Sequence, residues 1–214
     1  LVGSEMCIRD RILPANKLSF KGTIQIYRKA IAYLIDVYSK EWDAISAIAK
    51  KHERFLFSEN LVHTTKDNKA KYDFDTAFYK MPCYLRRAAT SAALGAVSSY
   101  RSNLALWEAS HEGKKPTLQV GRNTMPVFYN GAMHTVDQET NTHYIKLYQH
   151  KDWVWVPLKL RQTDLRDLER HWSHVKASAP ILERRYNRWY LRFAFEEQQA
   201  LSDTPIQDQR ICAV

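Results

Sequence analysis

Asp73 to Trp107 reads D-F-D-T-A-F-Y-K-M-P-C-Y-L-R-R-A-A-T-S-A-A-L-G-A-V-S-S-Y-R-S-N-L-A-L-W, and this stretch decides how the rest of the chain is organised. Pro82 suits a helix start, because the first turn has no use for the missing N–H, and neither a further Pro nor a β-branched run intervenes before Gly113. The spacing predicts one long helix from Pro82 to Glu108, roughly 40 Å at ~1.5 Å per residue. Leu85, Ala89, Ala92, Ala96, Tyr100, Asn103 and Trp107 recur at three- and four-residue intervals and define its expected inner face. Ala88, Ala92, Gly95 and Ser99 keep the middle thin, so that another helix or a sugar-phosphate backbone can come close. Arg87 and Arg101 fall within about 40° of each other around the axis, where both can face one ligand. Lys80, Arg86 and the hydroxyls of Ser98 and Ser99 add phosphate donors. Small residues equally serve helix packing, and a basic face equally serves solvation, so this pattern alone leaves both readings open.

Upstream, Ile24, Tyr27, Ile31, Leu34, Tyr38, Trp42, Ile45 and Ile48 keep helical spacing, which predicts a long amphipathic helix over residues 18–49. Phe74, Ala77 and Phe78 form a short apolar turn or helix before Pro82. Between these elements, residues 63–71 are polar, with Lys66, Lys69 and Lys71 around an Asp67-Asn68 turn, and read as an exposed loop that touches RNA. Beyond the G-K-K-P break at Gly113 to Pro116 the period becomes two. Residues 144–148, 153–160 and 188–195 alternate as strands, with Trp189, Leu191, Phe193 and Phe195 on one face and Arg188, Tyr190 and Arg192 on the other. A helix opened by Thr163 sits between them, with Asp164 near its positive end and Leu165, Leu168 and Trp172 on its core side. The fold class is therefore α+β, a helical lobe followed by a small OB-like β-barrel with Trp153, Trp155, Trp172 and Trp189 as core. Arg184, Arg185, Arg188 and Arg192 cluster around an expected hairpin at Tyr186-Asn187, while Lys159 and Arg161 project from another strand end. Arginine forks grip phosphate oxygens, and Tyr186 or Tyr190 can stack on a base.

The chain has 214 residues, 45% of them hydrophobic, and a formal net charge of +9, which becomes +10 without residues 1–10 and their Glu5, Arg9 and Asp10. That balance favours a polyanionic partner, and the hydrophobic content excludes wholesale disorder. No apolar run approaches the ~18 residues of a membrane span. Three cysteines make neither a C-x-x-C nor a disulfide framework, which suits a reducing cytoplasm. His171 and His174 lack nearby Cys or carboxylate partners for a metal. The carboxylate pairs Asp73 and Asp75, Asp164 and Asp167, and Glu196 and Glu197 read as helix-start, loop or solvated charge.

The run F-Y-K-M-P-C-Y-L-R-R-A-A, followed by V-S-S-Y-R-S-N-L-A-L-W-E, resembles the OrfB/TnpB proteins of insertion-sequence transposons, relatives of the type V CRISPR nucleases. The resemblance extends from Y-R-K-A-I-A-Y-L-I-D-V-Y near Tyr27, through L-V-H-T-T-K-D-N at Leu61, to the final I-C-A-V. It implies the N-terminal part of a prokaryotic RNA-guided DNA endonuclease, long labelled a transposase, whose partners are a guide RNA and target DNA and not a membrane. The implied domains are a remnant of the first wedge strand at residues 11–17, a helical recognition lobe at 18–112, an OB-like wedge at 113–202 and the start of a RuvC-like domain at 203–214. In the family the residue after the strand matched by Arg210 to Val214 is usually the catalytic Asp, so no catalytic residue is expected in this chain and it should not cut DNA. The Mg²⁺-holding carboxylates and the zinc-binding cysteines are expected downstream, leaving no cofactor here. By position in the matched helix, Arg86, Arg87, Thr90 and Ser91 are the candidates to read a DNA motif flanking the target, with Lys80, Ser99 and Arg101 on the backbone. A nuclease-dead guided DNA-binding regulator and a generic RNA-binding module remain open beside this reading.

The first residues are expected to have another origin. Met6-Cys7-Ile8-Arg9-Asp10 is what ATG-TGT-ATA-AGA-GAC encodes, the mosaic end of tagmentation libraries, and Leu1 to Glu5 fit the rest of that adaptor in the same frame. Residues 1–10 are accordingly expected to be a sequencing artefact. Amplification of the parent DNA from an independent template should give other codons in their place and an Asp codon after Val214. The same ten residues would overturn the first expectation, and a stop or a non-carboxylate codon the second.

Overall fold

The computed structural model describes residues 4–14, 19–121, 123–137, 139–140, 142–158, 162–172 and 176–200. Helix α1 (Lys21–Lys40) follows its apolar spacing closely, burying Ile24, Tyr27, Ile31, Leu34 and Tyr38 on one side. Each such side chain contributes ~1.5–3 kcal/mol when taken fully from water. The long helix expected over residues 18–49 is divided at Glu41, which leaves helical geometry at φ −97°, ψ 10°. The corner is held from outside, because Lys71 Nζ and the Tyr72 hydroxyl each donate to the Glu41 carboxylate at 2.6 Å. These two donors keep the Glu41 carboxyl below its usual range. Helix α2 (Trp42–Ser46) then buries Ile45, and helix α3 (Lys51–Asn60) follows. Sequence periodicity did not point to α3, whose only wholly buried residue is Ser58.

Helix α4 (Phe74–Ala77) is opened by Asp73, whose carboxylate accepts from the Thr76 N–H at 3.2 Å. Phe74 and Phe78, with ring centroids 4.5 Å apart, close against Tyr33 of α1. Helix α5 (Cys83–Ser110) runs uninterrupted, as Pro82 and its composition predict. Its inner row is Leu85, Ala89, Ala93 and Val97, every fourth residue, rather than the row through Ala92 and Ala96, which are only half-buried. Alanines at 89 and 93 let α5 lie close on α1, and a buried hydrogen-bond knot pins the crossing. The Tyr38 hydroxyl sits 3.3 Å from both the Ser58 carbonyl oxygen and Thr90 Oγ1. Its single proton serves the carbonyl when the Thr90 hydroxyl donates back.

The C-terminal half is antiparallel. Strands β2 (His134–Asp137), β3 (Thr142–Gln149) and β4 (Asp152–Leu158) form a meander, with Ile145, Leu147 and Leu158 buried. Helix α6 (Gln162–Trp172) follows, then the short β5 (Lys176–Ala177), β6 (Ile181–Arg185) and β7 (Arg188–Ala200). Strand β7 is the spine of a second sheet, paired on one side with β5 and β6 and on the other with β1 (Ser4–Pro14). Leu191, Phe193 and Phe195 of β7 are buried, as the alternation requires. The β6–β7 turn at Tyr186 and Asn187 has φ of 46° and 64°, the doubly positive geometry of a tight I′-type hairpin. The first strand extends N-terminally beyond the expected remnant and runs through residues 4–10. Its register from Ser4↔Ala200 to Pro14↔Tyr190 rests on main-chain groups that any sequence supplies.

Mixed α+β is thus the architecture. The segment preceding β2 meets β6 at the Val127↔Ile181 bridge and the 2.9 Å bond from Phe128 N to the Pro180 carbonyl, and no closed barrel forms among the described residues. Of the tryptophans expected in the core, Trp153 is buried and Trp189 half-buried, whereas Trp155 is 41% exposed. Trp153 is sheltered by Tyr148, but Trp155 lies beyond that cover on the outer face, beside Lys146 across the strand pair. The Trp172 side chain lies outside the described residues.

One apolar core runs continuously from the helices to both sheets. Phe20 bridges them, with its ring 6.1 Å from Phe128 and 5.6 Å from Trp189. The first turn of α1 meets β3 directly, since Thr23 Oγ1 accepts from the Tyr148 N–H at 2.9 Å. A Cβ added at Gly22 would stand 2.5 Å from the Tyr148 carbonyl oxygen, a backbone atom that cannot swing aside. Gly22→Ala should therefore cost roughly 1–3 kcal/mol, read as a lower thermal unfolding midpoint. An unchanged midpoint would show that the helix and β3 are free to separate.

Candidate nucleic-acid interface

The basic residues of α5 divide by burial. Arg86 is 8% exposed and turned inward, with Nη2 donating to Glu59 Oε1 at 3.2 Å and Nη1 4.0 Å from Asp75 Oδ1, while its Nε is buried without a partner. Thr90 is wholly buried in the Tyr38 knot. Both were expected to read DNA, and packing buries both. The helix turns one four-residue row onto α1, and residues 86 and 90 flank that row. Arg87, Ser91, Gly95 and Ser99 take the opposite, exposed side at four-residue spacing, and a Cβ at Gly95 would meet only open space. Arg87 is exposed but leans on its neighbours, with Nε 3.7 Å from Glu59 Oε2 and its guanidinium 5.4 Å above the Phe55 ring. Arg101 donates to the Ser39 carbonyl at 3.3 Å, where the last turn of α1 gathers unpaired acceptors. Lys80, with φ of 57°, reaches Asp152 at 3.8 Å at the start of β4.

The β6–β7 hairpin presents the second basic group. Tyr186 at its tip is 97% exposed, with no cover on its ring, and Arg184, Arg185 and Arg188 are exposed around it. Arg184 is hydrogen-bonded to Asn187 and holds its guanidinium 5.4 Å over the Trp189 indole. Arg185 Nε donates to Glu183 Oε1 at 2.6 Å. Arg192 is half-buried on β7. Lys159 and Arg161 lie outside the described residues, as do residues 203–214 and the strand expected there.

Sequence reading missed two cations on α1, Lys21 and Arg28, because that helix reads first as a core element. With Gln25 they recur at four- and three-residue spacing, a polar stripe bordering the apolar one, and that is the signal that marks them. Together with Arg184 they line a groove of about 1000 Å³ between α1 and the β6–β7 hairpin. No group of three or more His, Cys, Asp or Glu side chains able to hold a metal occurs among the described residues, and Cys83 is a free, exposed thiol. No helix among them is long and apolar enough to cross a membrane.

The Aq_aa04 family model matches residues 8–149, well over half of the sequence. The chain belongs to the Aq_aa04 family. No curated protein matches it significantly. The Aq_aa04 match takes in α1 to α5 with β2 and β3, including Lys21, Arg28 and the exposed row of α5, and ends at Gln149 before the arginine hairpin.

Within the matched stretch, an imidazole pair, His134 buried and His143 half-buried, ties the two sheets. His134 Nδ1 lies 2.9 Å from Asn130 Oδ1, and its Nε2 lies 3.1 Å from His143 Nδ1. With both rings neutral the chain resolves in one direction, His143 donating to His134 and His134 donating to Asn130. Both rings stand edge-on to Phe193 of β7. Burial, then the neighbouring His143, lowers the His134 pKa from 6.5 to about 4, and burial also lowers that of His143. Because the folded value lies below the unfolded one, the stabilisation is complete above about pH 6.5 and is lost as pH falls toward 4. For His134 the loss is on the order of 3 kcal/mol. The thermal midpoint should therefore fall across that window, and fall less steeply in His134→Gln. Equal slopes in both proteins would show that the pair is not what unfolds the acidified chain.

Proposed function

We propose that this chain is the nucleic-acid-gripping part of a transposon-encoded, RNA-guided DNA endonuclease of the OrfB/TnpB kind, working in a prokaryotic cytoplasm with a guide RNA and target DNA as partners. The observation that carries the reading is the hairpin tip, where a fully exposed tyrosine stands among three exposed arginines. A bare aromatic at the tip of a hairpin stabilises nothing in the fold. Interleaved with guanidinium groups, it has the makings of a contact in which bases stack and phosphates are neutralised. The exposed row of Arg87, Ser91, Gly95 and Ser99, with Arg101 near its far end, supports the same reading, since it offers a cation and hydroxyls on a surface with little side-chain bulk. On this reading the two antiparallel sheets belong to an OB-like wedge and the helices to a recognition lobe. The guide supplies sequence recognition by pairing, and the protein supplies backbone and shape contacts.

Filter binding of the full chain to single-stranded RNA should show log affinity falling with log salt, by roughly 0.7 for each phosphate neutralised. Tyr186→Ala should weaken binding about 10-fold, as the loss of one base–aromatic stack requires. Binding that is absent at low salt, or that ignores salt, would overturn the reading.

A further inference from the structure

The groove between α1 and the β6–β7 hairpin is built from parts that no fold requirement brings together. Lys21 and Arg28 come from α1 two turns apart, about 10 Å along its axis, and Arg184 faces them from β6. Arg28 is fixed in place, because its Nε donates to the Thr124 carbonyl at 2.9 Å and Nη2 lies 3.9 Å from the Met125 sulfur. Arg184 is fixed too, laid over Trp189, which in turn leans on Phe20. One carboxylate, Glu183, lines the groove, its Oε1 engaged by Arg185 and its Oε2 buried without a hydrogen-bond partner, so that against Lys21, Arg28 and Arg184 the groove keeps a positive balance. Between the cations the wall is apolar, made by Ile24, Met125, Ile181 and Trp189.

Each feature narrows the ligand. Convergent cations select an anion, and the apolar wall asks for a flat, weakly hydrated group attached to it. A volume of about 1000 Å³ exceeds what inorganic phosphate fills. A duplex keeps its bases stacked inside and cannot lay one on such a wall, whereas a single strand can splay a base out and keep its phosphates beside the cations. We propose that the groove seats unpaired nucleotides of a single-stranded nucleic acid, with a base against the Arg184–Trp189 stack and Met125, and the flanking phosphates on Lys21 and Arg28. This rests on the nucleic-acid reading above and adds a second contact site, which shares Arg184 with the hairpin and carries the strand from the β-sheet onto the first helix.

The test uses the full chain and a labelled single-stranded RNA of roughly 16 nucleotides, with DNA of the same sequence, the RNA duplex and a mononucleotide as competitors. Lys21 and Gln25 are both exposed, so Lys21→Glu and Gln25→Trp, the latter filling the groove, should leave the thermal midpoint unchanged. Each should weaken RNA binding about 10-fold, and Lys21→Glu should also lower the salt slope by roughly 0.7. In the unaltered protein, photocrosslinking of 4-thiouridine RNA should label the peptides holding Met125 or Trp189, a readout that does not depend on any variant folding. Competition by single strands, with RNA and DNA ranked by the ratio of their affinities, and not by the duplex or the mononucleotide is the expected pattern. If both groove variants bind within about two-fold of the unaltered chain while Tyr186→Ala still weakens binding, the groove assignment fails and the hairpin contact stands. If the crosslink maps only to Tyr186 at the hairpin tip, the groove assignment fails as well. If the unaltered chain binds no nucleic acid, both fall together.

Discussion

The first turn of α1 lies against the main chain of β3 with no side chain between them at residue 22, and most of the architecture follows from that approach. The Tyr148 carbonyl occupies the space a Cβ would need, and the Tyr148 N–H is satisfied by Thr23, so helix and strand are held by backbone rather than by interchangeable hydrophobic surface. Everything farther along α1 inherits its direction from this point. Two residues earlier, Phe20 packs on Phe128 and on Trp189 of β7, and at the other end Tyr38 locks onto Ser58 and Thr90. A helix anchored at both ends acts as a beam, and it is this beam that sets Lys21 and Arg28 opposite Arg184.

Charge on this protein is a poor guide to contact until burial is known. Arg86 and Arg87 are adjacent in sequence and share Glu59 as a partner, yet one is a buried structural cation and the other an exposed one. Removing Glu59 would leave the buried Arg86 guanidinium with only the longer, 4.0 Å contact to Asp75, a situation that costs more than losing an exposed pair. The net positive charge therefore overstates the interface, because part of it is spent holding α3 against α5.

The long helix and the hairpin were legible because each carries a local signal strong enough to survive its surroundings. Pro82 with an unbroken run of good helix formers fixes α5, and Tyr186-Asn187 between alternating segments fixes the turn. The inner face of α5 was harder to read, since Ala92, Ala93, Ala96 and Val97 are all compatible with burial and only the partner helix chooses among them. The break at Glu41 came from Lys71 and Tyr72, thirty residues away, which no window around Glu41 contains. Helix α3 buries too little to show a period. Trp155 misled for the opposite reason, as large aromatics are usually core, and here cover by Tyr148 stops short of it. The groove was invisible because its walls come from the start of α1, the segment near Met125 and β6, three stretches far apart in the chain.

Helix α5 has two regimes along its length. From Leu85 to Val97 its inner positions are hemmed in by α1, so a change of one methylene there alters a packed volume. From Ser102 to Ser110 no residue is buried, Leu106 is 69% exposed, and Trp107 is occupied with its local neighbours His111, Gly113 and Lys115. Helicity there depends on main-chain bonds and residue propensity alone. The amides of this last stretch should exchange with solvent orders of magnitude faster than those of the Leu85–Val97 half, and its side chains should accept almost any helix-compatible replacement. One continuous helix thus carries a segment fixed by volume and a segment free to be rewritten.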